Sequence, residues 1–115
     1  MITEPDDTHR VLFICGKNQW RSPTAEHIFA DHPGLACASA GLSKDSEVQV
    51  SADLLAWADT VFVMEKAHKT RLTAGFKAHL HGKRVVCLEI KDRYPYMDPE
   101  LVRLLLARVT PYLPG

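Results

Sequence analysis

The chain has 115 residues, 46% of them hydrophobic, and its 14 lysines and arginines balance 14 aspartates and glutamates to a formal net charge of zero. That size and apolar content suit one domain with one core, and the balanced charge excludes a nucleic-acid footprint or a polybasic membrane surface, so any affinity for anions must be local. No apolar run approaches the roughly 18 residues needed to span a bilayer, no basic-then-apolar leader opens the chain, and three widely spaced cysteines argue for a reducing, cytoplasmic compartment over a disulfide framework.

Residues 1–8, with Pro5, Asp6 and Asp7, read as a flexible polar tail ahead of a single domain over residues 9–115. Val11-Leu12-Phe13-Ile14 has the length and composition of a buried strand. Cys15 ends it, Gly16-Lys17-Asn18-Gln19-Trp20 make a short loop, and Arg21-Ser22-Pro23 open a helix, where the missing N–H of Pro23 costs nothing in the first turn. The helix runs over about residues 22–31, with Ala25, Ile28 and Phe29 on one face, until His32-Pro33-Gly34 stops it. Residues 35–39 form a second short strand, and Gly41 permits the turn that follows. Ser51 caps a helix carrying Leu54, Leu55 and Trp57, which leads into a third strand over residues 60–64.

A helix is predicted over residues 65–76, a basic loop over residues 77–83, and a fourth strand over residues 84–90. Asp98 and Pro99 read as the cap and first residue of a last helix carrying Leu101, Val102, Leu104, Leu105 and Val109. Strands that alternate with helices imply right-handed crossovers and a parallel sheet covered on both faces, with ligands beyond the carboxyl ends of the strands. Cys15 follows the first strand and Asp92 the fourth, so both belong to that edge.

A cysteine against a helix start is chemically pointed. The unsatisfied N–H groups of a tight loop and a helix N-terminus form a nest for an anion such as phosphate, and the same field favours thiolate over thiol. Arg21 adds a planar fork of donors that holds two oxygens at once. Ser22 is placed to donate its hydroxyl to the sulfur, and Asn18 to brace irregular backbone through its amide. Lys17 is either a solvated charge or a source of positive potential at the rim. An isolated cysteine at a strand end is ordinarily inert, and it is the company of Arg21 and Ser22 that favours chemistry here. Cys37 and Cys87 lie within apolar strands and read as core. His79-x-His81 lacks further ligands, so no metal is expected, and Gly16-Lys17 lacks the spacing of a nucleotide-binding loop.

Cys15, five intervening residues, then Arg21-Ser22-Pro23, all after a Val-Leu-Phe-Ile strand, resembles the signature of the low-molecular-weight protein tyrosine phosphatases, shared by arsenate reductases of the same fold. Ser39-Ala40-Gly41, Ala58-Asp59 before Val61-Phe62-Val63-Met64, and Asp92 with Tyr94 continue the likeness in order over most of the chain. The departures are Lys17 and Asn18 at loop positions where glycine and asparagine are usual, with the glycine displaced to Gly16. Trp20 stands where many members carry a second cysteine, and the stretch between Gly41 and Ala58 is short where the family has part of its recognition wall.

The resemblance implies an α/β three-layer sandwich around a four-stranded parallel sheet of order 2-1-3-4. It further implies a cofactor-free phosphomonoester hydrolase that works through a cysteinyl-phosphate. Its substrates would be phosphorylated proteins or small aryl phosphates, and inorganic phosphate its product. Cys15, Arg21 and Asp92 would be catalytic, and Gly16, Lys17, Asn18, Gln19, Trp20 and Ser22 would form the phosphate-binding loop. The family's acid lies in an Asp-Pro-Tyr turn: Asp92-Arg93-Tyr94 has the position without the proline, and Asp98-Pro99 has the dipeptide but comes later. Tyr94 and Tyr96 either wall the pocket or anchor the loop. Arsenate reduction and non-catalytic phosphate binding are the alternatives; the first requires a pair of relay cysteines after the third strand, and residues 65–86 contain none.

Overall fold

The computed structural model describes residues 8–113, so most of the expected tail lies outside the described residues. Strict alternation along the strands divides the core in two. On β1 (His9–Cys15), Val11, Phe13 and Cys15 face one side of the sheet, while Leu12 and Ile14 face the other. The first side is covered by α1 (Arg21–Phe29) through Ala25 and Phe29 and by α4 (Pro99–Val109) through Leu101, Leu105 and Val109. The second is covered by α2 (Ala52–Trp57) through Leu55 and by α3 (Lys66–Phe76) through Leu72. Phe13 stacks between Phe29 and Phe62, with ring centroids 5.9 and 5.4 Å apart. Each fully buried Leu, Ile or Phe contributes about 1.5–3 kcal/mol relative to exposure.

The sheet is parallel throughout. Its order is β2-β1-β3-β4, where β2 is Leu35–Gly41, β3 is Thr60–Val63 and β4 is Arg84–Cys87. The central pair β1 and β3 is fully buried apart from the first two residues of β1, which is why the runs Val11–Cys15 and Val61–Val63 are apolar without interruption. Ser51 caps α2 as predicted, its Oγ accepting from the Leu54 N–H at 3.2 Å.

Three expectations are adjusted. β2 runs two residues past residue 39, because Ala40 and Gly41 stay in register with Ile14 and Cys15. β4 stops at Cys87: Leu88 and Ile90 still donate to the carbonyls of Val63 and Met64, but Glu89 turns to φ 55°, which breaks the extended conformation between them. The basic loop after α3 contains a short 3-10 turn, Lys77–His79.

The extra length of β2 positions the site. Gly41 pairs with Cys15, and the chain then folds back so that Gly41 also bridges Gln49. Along the way Leu42 N–H donates to the Cys15 carbonyl and Ser43 N–H to that of Gly16, strapping residues 42–50 to the loop after β1. A Cβ on Gly41 would lie 2.1 Å from Ser46 Oγ and 2.8 Å from the Asn18 backbone nitrogen. The hydroxyl can swing away, but the backbone of the loop cannot. Gly41→Ala is therefore expected to cost about 1–3 kcal/mol in chemical denaturation, as overpacking does. Ser46→Ala in the same chain should not restore the loss, because the contact with Asn18 remains.

Candidate active site

Cys15 lies at the base of a cavity of about 560 Å³ at the carboxyl edge of the sheet, and is 3% exposed. Two donors address its sulfur. The Asn18 N–H points at Sγ from 3.2 Å, because Asn18 takes the left-handed conformation (φ 57°) that turns the loop's amides inward. The Ser22 hydroxyl is 2.9 Å from Sγ. Asn18 Nδ2–H donates to that same hydroxyl oxygen at 3.0 Å, which leaves the Ser22 hydrogen free for the sulfur; the alternative acceptor, the Ala40 carbonyl, is at 3.4 Å. The second Nδ2–H of Asn18 goes to Ser39 Oγ at 3.0 Å, Ser39 donates to Glu26 at 2.5 Å, and Asn18 Oδ1 accepts from Val48 N–H at 3.2 Å. Asn18 thus uses its whole amide to hold the loop, and Ser22 presents a donor where a thiolate requires one.

Arg21 opens α1 and is 4% exposed, a charge buried only because it is paired. Its Nη1 donates to Glu65 Oε2 at 2.5 Å and to the Ile90 carbonyl at 2.8 Å. With both hydrogens of Nη1 committed, Nη2–H and Nε–H remain as the fork for an oxyanion. Asp92 stands 3.7 Å from Nε, with its side chain 59% exposed, and lines the cavity.

The loop residues divide into two groups. Gly16, Lys17, Gln19 and Trp20 line the cavity, whereas Asn18 and Ser22 stand behind it as supports. The far wall comes from the start of α3, where the N-cap residue Glu65 is followed by His68 and Arg71 on the helix. His68 is 7% exposed, and its Nδ1 accepts from the Glu65 N–H at 3.2 Å. Burial first, then the neighbouring Arg21, holds its pKa below the ordinary value, which favours the neutral ring, and with Nδ1 accepting, the hydrogen of that ring sits on Nε2.

Three candidates are not brought to the cavity. Tyr94 packs on the core beside α4, and Tyr96 turns outward, its hydroxyl 3.3 Å from His27 Nδ1. Asp98 occupies the N-cap of α4 ahead of Pro99, yet its side chain makes no capping bond and does not line the cavity. The cause is Met97, whose φ of 62° and N–H bond to Thr24 Oγ1 at 2.9 Å turn this stretch towards α1. The other two thiols also lie away from Cys15. Cys37 pairs with Val11, four residues back along β1, and burial followed by Glu26 pushes its pKa up to about 11. Cys87 belongs to the opposite face of the sheet. Among the described residues, no group of three or more His, Cys, Asp or Glu gathers as a metal site, and no helix is long and apolar enough to cross a membrane.

Glu65, His68, Arg71, Ser39 and Glu26 had no site role in the sequence reading. Ser39 carried a signal in the Ser39-Ala40-Gly41 run; the others carried none, since each reaches the site through the sheet register or the direction of α3.

No protein-family model matches the sequence, and no curated protein matches it. Solved structures do. The YwlE arginine phosphatase of Geobacillus stearothermophilus superposes with a TM-score of 0.71 at 22% identity, covering 90% of this chain and 92% of that one. Wzb of Vibrio vulnificus, in complex with benzylphosphonate, gives 0.72 at 21% identity, covering 90% and 96%. SP-PTP, a low-molecular-weight protein tyrosine phosphatase from Streptococcus pyogenes, gives 0.72 at 15% identity, covering 92% and 91%. The chain therefore has the low-molecular-weight protein tyrosine phosphatase fold, a four-stranded parallel sheet in the order 2-1-3-4 with helices on both faces.

If Asn18 holds the loop as its bonds indicate, Asn18→Ala leaves Val48 N–H, Ser39 and Ser22 short of a partner, at about 1–3 kcal/mol for a buried group so deprived. Denaturation should register that loss. Alkylation of Cys15 should also slow relative to Cys87, because the N–H and the oriented hydroxyl that favour the anion are displaced.

Proposed function

We propose that the chain is a metal-independent phosphomonoester hydrolase acting on phosphotyrosine or another aryl phosphate. The observation that carries this reading is the convergence on one cavity of the Cys15 sulfur, with two donors aimed at it, and the unspent Nη2–Nε fork of Arg21. In the first step the Cys15 thiolate attacks phosphorus in line. The S–P bond forms as the P–O bond to the leaving group breaks, and Asp92, entering as the carboxylic acid, gives its proton to the departing oxygen. Loop N–H groups and Arg21 hold the equatorial oxygens where charge is spread in the transition state. In the second step water attacks phosphorus, Asp92 takes its proton, and the S–P bond breaks to release inorganic phosphate and restore the thiolate. Ser22 then donates to the leaving sulfur as it did to the attacking one.

The arginine phosphatase and the tyrosine phosphatases of similar fold differ in the leaving atom, so the first assay should offer both an aryl phosphate and phosphoarginine. Arsenate reduction is disfavoured by the placement of Cys37 and Cys87 away from the cavity. A purely binding role would leave Asp92 without a task at the mouth. We further propose that residues 9–115 act as one domain in the cytoplasm, where free thiols persist.

Cys15→Ser should abolish turnover of an aryl phosphate while leaving phosphate binding measurable; near-normal turnover by that variant would exclude the mechanism. Arg21→Lys should lower kcat/KM by more than roughly tenfold, about 1.4 kcal/mol, since a point charge cannot reproduce two parallel contacts.

The acid is separated by leaving-group dependence. Asp92→Asn should reduce kcat by about 10² to 10⁴ on phenyl phosphate and far less on a nitrophenyl ester, whose leaving group needs no proton. Asp98→Asn should affect neither, and the reverse pattern would move the role to Asp98.

A further inference from the structure

Two of the cations that line the cavity stand outside the ion pairs at its centre. Arg21 is met by Glu65 and Asp92, but the other two cations on the wall, Lys17 and Arg71, have no carboxylate within 4.0 Å among the described residues. Both are exposed, and neither makes a side-chain hydrogen bond to a described residue.

The third feature of this wall is His68. Since its Nδ1 accepts from the Glu65 N–H, its Nε2–H is the free donor. Nε2 lies 3.8 Å from where a Gly16 side chain would begin. Gly16 has none, so the space between the loop and α3 stays open on that side. Lys17 follows Gly16 directly, and Arg71 follows His68 by one turn on the same face of α3. A neutral donor and two unpaired cations therefore line the same cavity as Cys15 and Arg21, on its Gly16 and α3 side.

We propose that Lys17, His68 and Arg71 form a second anion subsite that selects substrates whose leaving group carries a carboxylate. This rests on the aryl phosphatase reading and adds its specificity. Here the phosphoryl group goes to the loop and Arg21, while the carboxylate accepts from His68 Nε2–H and lies against the two cations. The carboxylate can belong to the substrate's own ring or to an acidic residue beside a phosphotyrosine; the chemistry is shared, and the test separates the two sources.

The probes are benzylphosphonate and its para-carboxylated counterpart, titrated against the wild-type protein at fixed salt by calorimetry. The carboxylated ligand should bind roughly tenfold more tightly, the scale of one charge-assisted contact, and Arg71→Gln should shrink that ratio towards one. His68→Leu should reduce it too, while His68→Gln, which keeps an N–H donor, should preserve more of it. A wild-type ratio within about twofold of one, or a ratio unchanged in Arg71→Gln, would overturn the subsite while leaving the phosphatase reading intact. Failure of benzylphosphonate and inorganic phosphate alike to bind would overturn both. In a parallel arm, phosphotyrosine peptides with Glu or Gln beside the phosphorylated residue are bound to Cys15→Ser. An Arg71-dependent preference for Glu assigns the carboxylate to a protein substrate, and its absence beside a preserved small-ligand ratio assigns it to a small one.

Discussion

The conformation of the loop after β1 depends on the amide of Asn18. A loop that turns its N–H groups inward to meet an anion has no ladder or helix to satisfy its backbone, so its shape must be imposed from outside. Asn18 supplies this by adopting φ 57° and spending its side chain on Ser22, Ser39 and Val48, which belong to α1, β2 and the strap over residues 42–50. The interaction also ties chemistry to fold. The donor that orients the Ser22 hydroxyl towards sulfur is the one that fastens the loop to β2, so a shift of β2 against β1 would be felt at Cys15. Gly41 keeps that distance short, since any side chain there would meet the backbone nitrogen of Asn18.

What could be read from the sequence followed from how local each feature is. Strands and helices were legible because burial on one or both faces writes its period into consecutive residues: Val11 to Ile14 and Val61 to Val63 are apolar throughout, and α4 repeats leucine and valine at helical spacing. Cys15, Arg21 and Ser22 were legible for the same reason, as one strand-loop-helix unit holds all three. Glu65 and His68 were not, because they reach Arg21 only through the pairing of β1 with β3, which no spacing along the chain encodes. The tyrosines, which the sequence left open between walling the pocket and anchoring the loop, are placed by a backbone detail. Tyr96 is two residues from Tyr94 and four from Asp92, but the turn at Met97 carries it to His27. The early end of β4 has a similar origin in the left-handed Glu89.

Arg21 shows how charge is distributed for the proposed chemistry. A guanidinium 4% exposed and without a partner would be costly, yet one fully engaged by carboxylates would have nothing left for a phosphoryl group. The arrangement divides the guanidinium: Nη1 is anchored by Glu65 and the Ile90 carbonyl, and the edge formed by Nη2 and Nε is left uncommitted at a residue that lines the cavity. Asp92, at 3.7 Å from Nε, is near enough to feel that charge without being locked by it, and its exposed side chain at the mouth is within reach of both the departing oxygen of the first step and the attacking water of the second.

The short stretch after β2 bears on which surface meets the substrate. Residues 42–50 are occupied in holding the loop: Leu42 and Ser43 N–H donate to the carbonyls of Cys15 and Gly16, Val48 N–H to Asn18 Oδ1, and Gly41 exchanges backbone bonds with Val48 and Val50. Of this stretch, Ser43 alone lines the cavity. A segment whose polar groups are committed inward cannot also form a tall outer wall, so in the proposed reaction recognition would fall to what remains around the mouth: Trp20 on the loop, 44% exposed, and Glu65, His68 and Arg71 at the start of α3. That part of the wall is rigid, since α3 is anchored by Leu72 in the core, and a rigid helix holds a donor more accurately than a loop does. Discrimination built there would therefore depend on fixed charge and on the neutral His68 donor, and not on closure of a flexible insertion over the substrate.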